Sequence, residues 1–192
     1  MKKYLLTIFV LAFSMKAFSQ SGLKTGAVAP AFTAIDNAGK TVDLKSLLKT
    51  HKAVVLFFYR GQWCPYCNKY ISHLQDSLQL LTAKGVYIVG VTPETPDNIN
   101  RTADRTHASF SLVHDEGYTI MKAYDVKYIV DDGLNTKLKG YGIDLEKNNG
   151  NKDHVLPVPA TYVIDRYGKI IFAQFDKDYT KRAYVSDMLK VL

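Results

Sequence analysis

The chain has 192 residues, 47% of them hydrophobic, and a formal net charge of +7. That length suits one domain with a real core. Its lysines are scattered without a run of five basic residues, so neither nucleic-acid binding nor a polybasic membrane patch is indicated.

Residues 1–19 have the grammar of a secretory signal: Lys2 and Lys3, a mostly apolar stretch Tyr4 to Met15, and Ala17-Phe18-Ser19 as a small-x-small cleavage site. The apolar stretch is shorter than the roughly 20 residues of a membrane span. A cleaved leader is therefore predicted, giving an exported mature chain without an integral span, in the periplasm or cell envelope. Phe32 to Asp36 and Lys40 to Val42 flank Asn37-Ala38-Gly39 as a hairpin, and Asp43 to Lys49 is a helical turn with Leu44, Leu47 and Leu48 inward. Ala53 to Tyr59 is apolar without alternation, as a strand covered on both faces requires.

Directly after that strand comes Trp63-Cys64-Pro65-Tyr66-Cys67, which holds both cysteines of the chain. Pro65 suits a first helical turn, and Ile71, Leu74, Leu78 and Leu81 mark one face of a helix that Gly85 ends. Cys64 then lies at the helix N-terminus, where unpaired N–H groups favour a thiolate. In such surroundings a thiol pKa falls from about 8.5 to roughly 3.5–7.5. Three other readings of the pair stand beside this one. A passive disulfide would close a very short loop and remove little unfolded-state entropy. Zinc would need two further ligands from His51, His73, His107, His114 or His154, none at finger-like spacing. Haem attachment would need histidine where Asn68 stands. No metal is expected, and the absence of a Gly-rich dinucleotide loop argues against a bound flavin or nicotinamide cofactor.

Further along, Val86 to Val91 is a second apolar strand, and Pro96 to Arg105 a helix with Asn98 and Asn100 on its wet side. Phe110 to Val113 is a strand and Tyr118 to Tyr124 a short helix. This alternation implies parallel pairing with right-handed crossovers. Asp131 to His154, rich in Gly, Asn, Asp and Lys, reads as a long surface insertion. Ala160 to Ile164 and Lys169 to Phe175 flank Asp165-Arg166-Tyr167-Gly168 as a hairpin, and Tyr179 to Leu192 as a closing amphipathic helix.

The dithiol loop after its apolar strand, Val158-Pro159-Ala160-Thr161-Tyr162-Val163-Ile164-Asp165 and Gly168-Lys169-Ile170 together resemble the thioredoxin fold. More narrowly, residues 22–192 are similar to the alkyl hydroperoxide reductase/thiol-specific antioxidant family, in its peroxiredoxin-like branch. Leu156-Pro157-Val158-Pro159 and Asp178-Tyr179-Thr180-Lys181-Arg182 resemble that branch in particular. The resemblance implies an α/β three-layer sandwich with a mixed central sheet. It also implies a cis peptide bond at Pro159, facing the cysteines and letting Val158 pair with a bound substrate chain; the plain alternative is that Pro157 and Pro159 only start an edge strand.

The departures from the family concern the active site. With Cys67 in the peroxidatic register, Cys64 and Arg60 occupy the places of the usual threonine or serine and proline. Arg101 and Arg105 are candidates for the family's arginine by exclusion, and Phe58 stands where thioredoxin has its buried aspartate. Two mechanisms share the dithiol. In one, Cys67 attacks a hydroperoxide and Cys64 resolves the sulfenic acid, with Arg60 lowering the thiol pKa or orienting the peroxide. In the other, the more accessible Cys64 attacks a protein disulfide and Cys67 releases the product. Both need an external donor, thioredoxin-like by resemblance. Trp63 either packs or shapes substrate approach, and a non-enzymatic binding module with an inert disulfide is the third reading.

Overall fold

The computed structural model describes residues 20–192, so the expected leader lies outside the described residues. The chain begins with a hairpin of β1 (Thr33–Ile35) and β2 (Thr41–Asp43), followed by α1 (Leu44–Thr50), whose first turn is capped by the Asp43 carboxylate accepting from Ser46 N–H at 2.8 Å. The alternating region is β3 (Ala53–Phe58), α2 (Pro65–Asp76), α3 (Leu78–Ala83), β4 (Val86–Thr92), α4 (Pro96–Thr106), β5 (Ser111–His114) and α5 (Thr119–Ala123). The remainder is β6 (Lys127–Ile129), α6 (Asp132–Gly140), α7 (Leu145–Asn149), β7 (Val155–Pro157), β8 (Ala160–Asp165), β9 (Ile170–Phe175) and α8 (Val185–Lys190).

The central sheet has the order β5-β4-β3-β8-β9. Strands β3, β4 and β5 pair in parallel, whereas β8 runs antiparallel to both β3 and β9, giving the expected mixed sheet. Because side chains alternate along a strand, β3 feeds two cores. Val54, Leu56 and Phe58 pack on the side of α1 and α5; Ala53, Val55, Phe57 and Tyr59 pack with α2, α4 and α8. This is the α/β three-layer sandwich.

Three local features differ from the sequence expectations. The single helix predicted through Leu81 breaks at Ser77, whose dihedrals (φ −95, ψ 2) leave the helical region and split it into α2 and α3. Asn98 faces inward, because its side-chain amide donates to the Asn148 carbonyl at 3.0 Å. The closing helix occupies only Val185–Lys190. Ahead of it, the Asp178 carboxylate accepts from the backbone and hydroxyl of Thr180, and the Arg182 guanidinium donates to the carbonyls of Tyr179 and Lys181. Those side-chain bonds stabilise a non-helical strap over residues 176–184.

The insertion is folded. Strands β6 and β7 pair antiparallel as its stem, and α6 and α7 are capped by Asp131, accepting from Leu134 N–H, and Asp144, accepting from Glu146 and Lys147 N–H. Val130, Leu138, Leu145 and Leu156 form a small core of their own, against which Trp63 packs. Replacing the fully buried Leu145 by alanine is expected to cost about 2–5 kcal/mol. With so few other apolar contacts to hold this unit, limited proteolysis of Leu145→Ala should cut within 131–149 into two fragments that stay associated through the β3–β8 pairing of the main sheet.

Candidate active site

Strand β3 ends at Phe58, and the chain then passes Arg60 and Gly61 to place Cys64 as the N-cap of α2, with Pro65 in the first turn. Cys64 and Cys67 are joined by a disulfide, with Cα atoms 5.2 Å apart. The Cys64 sulfur accepts from the Cys67 backbone N–H at 3.3 Å and from Arg60 Nη2 at 3.5 Å. The Cys67 sulfur accepts from Arg182 Nη2 at 3.4 Å. Each sulfur thus has its own guanidinium, and the second comes from the strap, 115 residues away in sequence.

Both cysteines have zero exposure, so Cys64 does not have the accessibility expected of it. Burial follows from aromatic and cationic cover. The Arg60 guanidinium lies 3.9 Å from the centre of the Tyr179 ring and 5.1 Å from that of Trp63, and Tyr179 meets Tyr66 edge-on at 5.7 Å. Arg60 is itself only 8% exposed, and none of the ion pairs among the described residues includes Arg60 or Arg182. Burial draws the Arg60 pKa below its ordinary value. For Arg182, burial first and then the positive charge of Arg60 bring it to about 10, still cationic at neutral pH. Two desolvated cations without a carboxylate in ion-pair contact, only Asp178 acting on Arg182 from farther off, make a site that attracts anions.

The loop carrying the dithiol is pinned from behind. Gln62 N–H donates to Glu94 Oε1 at 2.6 Å, and the Gln62 carbonyl accepts from Asn68 Nδ2 at 2.8 Å and Arg105 Nη1 at 2.9 Å. Gly61, with φ +154, has no space for a side chain: a Cβ there would lie 2.6 Å from both Glu94 Oε1 and Trp63 Nε1. Glu94, at the end of β4, is fully buried, and desolvation raises its pKa to about 7 against the pull of Gln62, Thr102 and Arg105. The Tyr59 hydroxyl, fully buried, is held far above its ordinary pKa by desolvation first and by Glu94 second, against a smaller pull from Thr102 and Thr92.

The structure therefore brings together Cys64, Cys67, Arg60 and Trp63 from the sequence reading and adds Arg182, Tyr179 and Glu94. Arg101 is exposed, and Arg105 supports the loop through Gln62 rather than touching a sulfur. Among the described residues no peptide bond is cis, so the bond at Pro159 is trans, contrary to the expectation. Val158 N–H donates to the Val126 carbonyl at 2.7 Å and is thereby occupied, leaving it unavailable to a substrate chain in this conformation. Val158 and Pro159 instead line a cavity of about 370 Å³ with Arg60, Tyr128, Leu134 and Tyr179. Phe58 packs against Tyr124 and Tyr162; the buried acid behind the dithiol is Glu94, from the neighbouring strand. The Arg182 signal was present in the Asp178 to Arg182 stretch that resembles the peroxiredoxin-like branch, but its proximity to Cys67 depends on the strap. Among the described residues no cluster of side chains could hold a metal ion, and no helix is long and apolar enough to cross a membrane.

Comparison with known proteins agrees with this fold. A chloroplastic peroxiredoxin Q of Populus jackii is 26% identical over 167 residues, 87% of this chain and 67% of that protein. The crystal structure of the peroxidoxin BcpB from Mycobacterium tuberculosis superposes with a TM-score of 0.67 at 20% identity, over 88% of this chain and 94% of that one. The thioredoxin domain of a thiol-disulfide oxidoreductase from Bacteroides vulgatus has the same fold, with a TM-score of 0.55 at 22% identity over 88% and 99% of the two chains. The family model of the AhpC/TSA family matches residues 25–173. With its dithiol at the head of α2, this chain belongs to the AhpC/TSA family and is a thiol-dependent oxidoreductase of the thioredoxin fold.

Proposed function

We propose that the Cys64/Cys67 pair reduces hydroperoxides and is returned to the dithiol by an external thiol donor. The observation that carries this reading is the placement of Arg182 Nη2 against the Cys67 sulfur, with Arg60 on the other side of the disulfide. In the reduced protein the Cys67 thiolate attacks the terminal oxygen of the peroxide. The O–O bond breaks, the alkoxide leaves and takes a proton to become the alcohol, and Cys67 becomes a sulfenic acid. Cys64 thiolate then attacks that sulfur, hydroxide leaves as water, and the disulfide forms. Arg182 stabilises the thiolate before attack and the developing alkoxide during it. The cavity beside Arg60 receives the organic part of the peroxide. The leader expected over residues 1–19 supports an envelope location.

A disulfide-reductase reading rests on one contrary observation: Cys64 has two donors and the N-cap position, and so suits the role of first nucleophile. The two are separated by mixing reduced protein with slightly less than one equivalent of hydrogen peroxide in a stopped-flow instrument, following Trp63. A fluorescence change much faster than free-thiol oxidation, retained as one round of sulfenate formation in Cys64→Ser and lost in Cys67→Ser, is the expected result. No fast change, together with rapid reduction of a model protein disulfide that Cys64→Ser abolishes, would instead establish the reductase.

A further inference from the structure

Between α2 and the strap runs a groove of about 490 Å³ that ends at Arg182, the residue touching the Cys67 sulfur. Its walls include Lys69, His73, Lys181 and Arg182, with the exposed rings of Tyr66 and Tyr184, and no acidic side chain. Asp178 is the carboxylate whose charge reaches Lys181 and Arg182, but its oxygens accept from Thr180 rather than from the guanidinium, and Asp76 borders the adjoining depression beyond His73. Within the groove, Arg182 Nε is a buried donor without an acceptor. Its guanidinium contacts are two backbone carbonyls and a sulfur, none of which supplies a negative charge.

We propose that this groove is the entry site for the electron donor, and that the donor is a small thiol carrying carboxylate groups. The proposal rests on the dithiol cycle above and names its reductant. A groove of this volume fits a small ligand. The disulfide lies behind Arg182 with zero exposure, beyond the direct reach of a thiol fixed on the surface of a folded protein. The carboxylate guides the donor along the basic walls and then pairs with Arg182, drawing the guanidinium off Cys67 and uncovering the sulfur.

The donor thiolate attacks Cys67, forming a mixed disulfide. The Cys64–Cys67 bond breaks, and its electron pair leaves on Cys64, where the Cys67 N–H and Arg60 stabilise the departing thiolate. A second donor thiolate attacks the donor sulfur of the mixed disulfide, releasing the symmetrical donor disulfide and Cys67 thiolate. Two donor thiolates thereby supply the two electrons of reduction.

The test is the rate at which oxidised protein is reduced by mercaptosuccinate, 2-mercaptoethanol and cysteamine. Rates are compared per thiolate and normalised to the same thiols acting on a small linear disulfide, with alkylation and intact mass as the readout. Mercaptosuccinate is expected to exceed 2-mercaptoethanol by about tenfold at low salt and cysteamine to fall below it. The preference should collapse at about 1 M salt, where the screening length is about 3 Å, and in the double variant Lys69→Glu/Lys181→Glu. Equal normalised rates, or a preference undiminished in the double variant, would overturn the proposal. So would reduction by a thioredoxin-like protein that outpaces mercaptosuccinate and is indifferent to the double variant. Peroxide mixing with the reduced protein uses no donor, so failure of the peroxidase reading appears there and failure of the groove appears here.

Discussion

Arg182→Met is expected to slow the reaction of reduced protein with hydrogen peroxide by about 10²-fold while leaving the fold intact, the size of effect seen when one preorganised donor to a developing oxyanion is removed. Methionine retains most of the apolar stem, so what is lost is the charge, the donor at 3.4 Å from Cys67 and the two guanidinium bonds to the strap carbonyls of Tyr179 and Lys181. The direction has two sources. A cation at that distance favours the Cys67 thiolate, so its removal raises the thiol pKa. The same group also neutralises the alkoxide as the O–O bond opens. The two are separable: if only the pKa changes, raising the pH until Cys67 is fully ionised restores the rate, whereas a role in the transition state leaves a deficit on that plateau. Arg182→Lys keeps the charge but not the fork of donors, and is expected to recover the pKa more fully than the plateau rate. Alkylation rate against pH, measured beside peroxide rate against pH, reads both. An unchanged peroxide rate in Arg182→Met would remove the observation on which the peroxidase reading stands.

Arg60 shows why only part of this site was legible in the sequence. Its proximity to Cys64 is local, set by a turn between β3 and α2; the Trp-Cys-Pro-Tyr-Cys spacing selects Trp63 and both sulfurs, and the family register counted back from Cys67 selects Arg60. Arg182 depends on a non-local event. The apolar positions Tyr184, Val185, Met188 and Leu189 have helical spacing, and that pattern carried the predicted helix back to Tyr179. Side-chain bonds from Asp178 and Arg182 to nearby backbone groups stabilise the alternative, and no periodicity registers them. The insertion is the reverse case. Asp131 and Asp144 are N-cap residues ahead of short segments containing Leu134, Leu138 and Leu145, and Gly150 ends the second in the left-handed region. Those capping signals were present, but the surrounding Asn, Lys and Gly masked them in a reading based on apolar period. Glu94 gave no signal at all, since one acid after a strand is ordinarily solvated; its burial comes from packing against Gly61 and Gln62.

That burial has a measurable consequence for stability. The carboxyl has a pKa of about 7 in the folded protein against an ordinary 4.5. A group whose folded pKa is raised contributes stability that is full below its unfolded pKa and lost as pH rises through its folded pKa. Between about pH 4.5 and 7 the folded state therefore holds more protons than the unfolded state, and the Glu94 contribution declines with rising pH. At about 1.4 kcal/mol per unit, the cost of the buried charge reaches on the order of 3 kcal/mol above pH 7. Glu94→Gln removes the titration while keeping a carbonyl to accept from Gln62 N–H and an amide to donate to Thr102. It is expected to raise stability at pH 8 by up to that amount, equivalent to roughly 6–12 °C in Tm for a domain of this size. The advantage over wild type should shrink steadily below pH 7 and disappear by about pH 4. Thermal melts of the oxidised protein and of Glu94→Gln from pH 4 to 8 measure the difference curve. A gap that is flat with pH, or that widens toward acid, would mean that Glu94 is held ionised by its hydrogen bonds and that its carboxylate strengthens the dithiol loop instead of straining it.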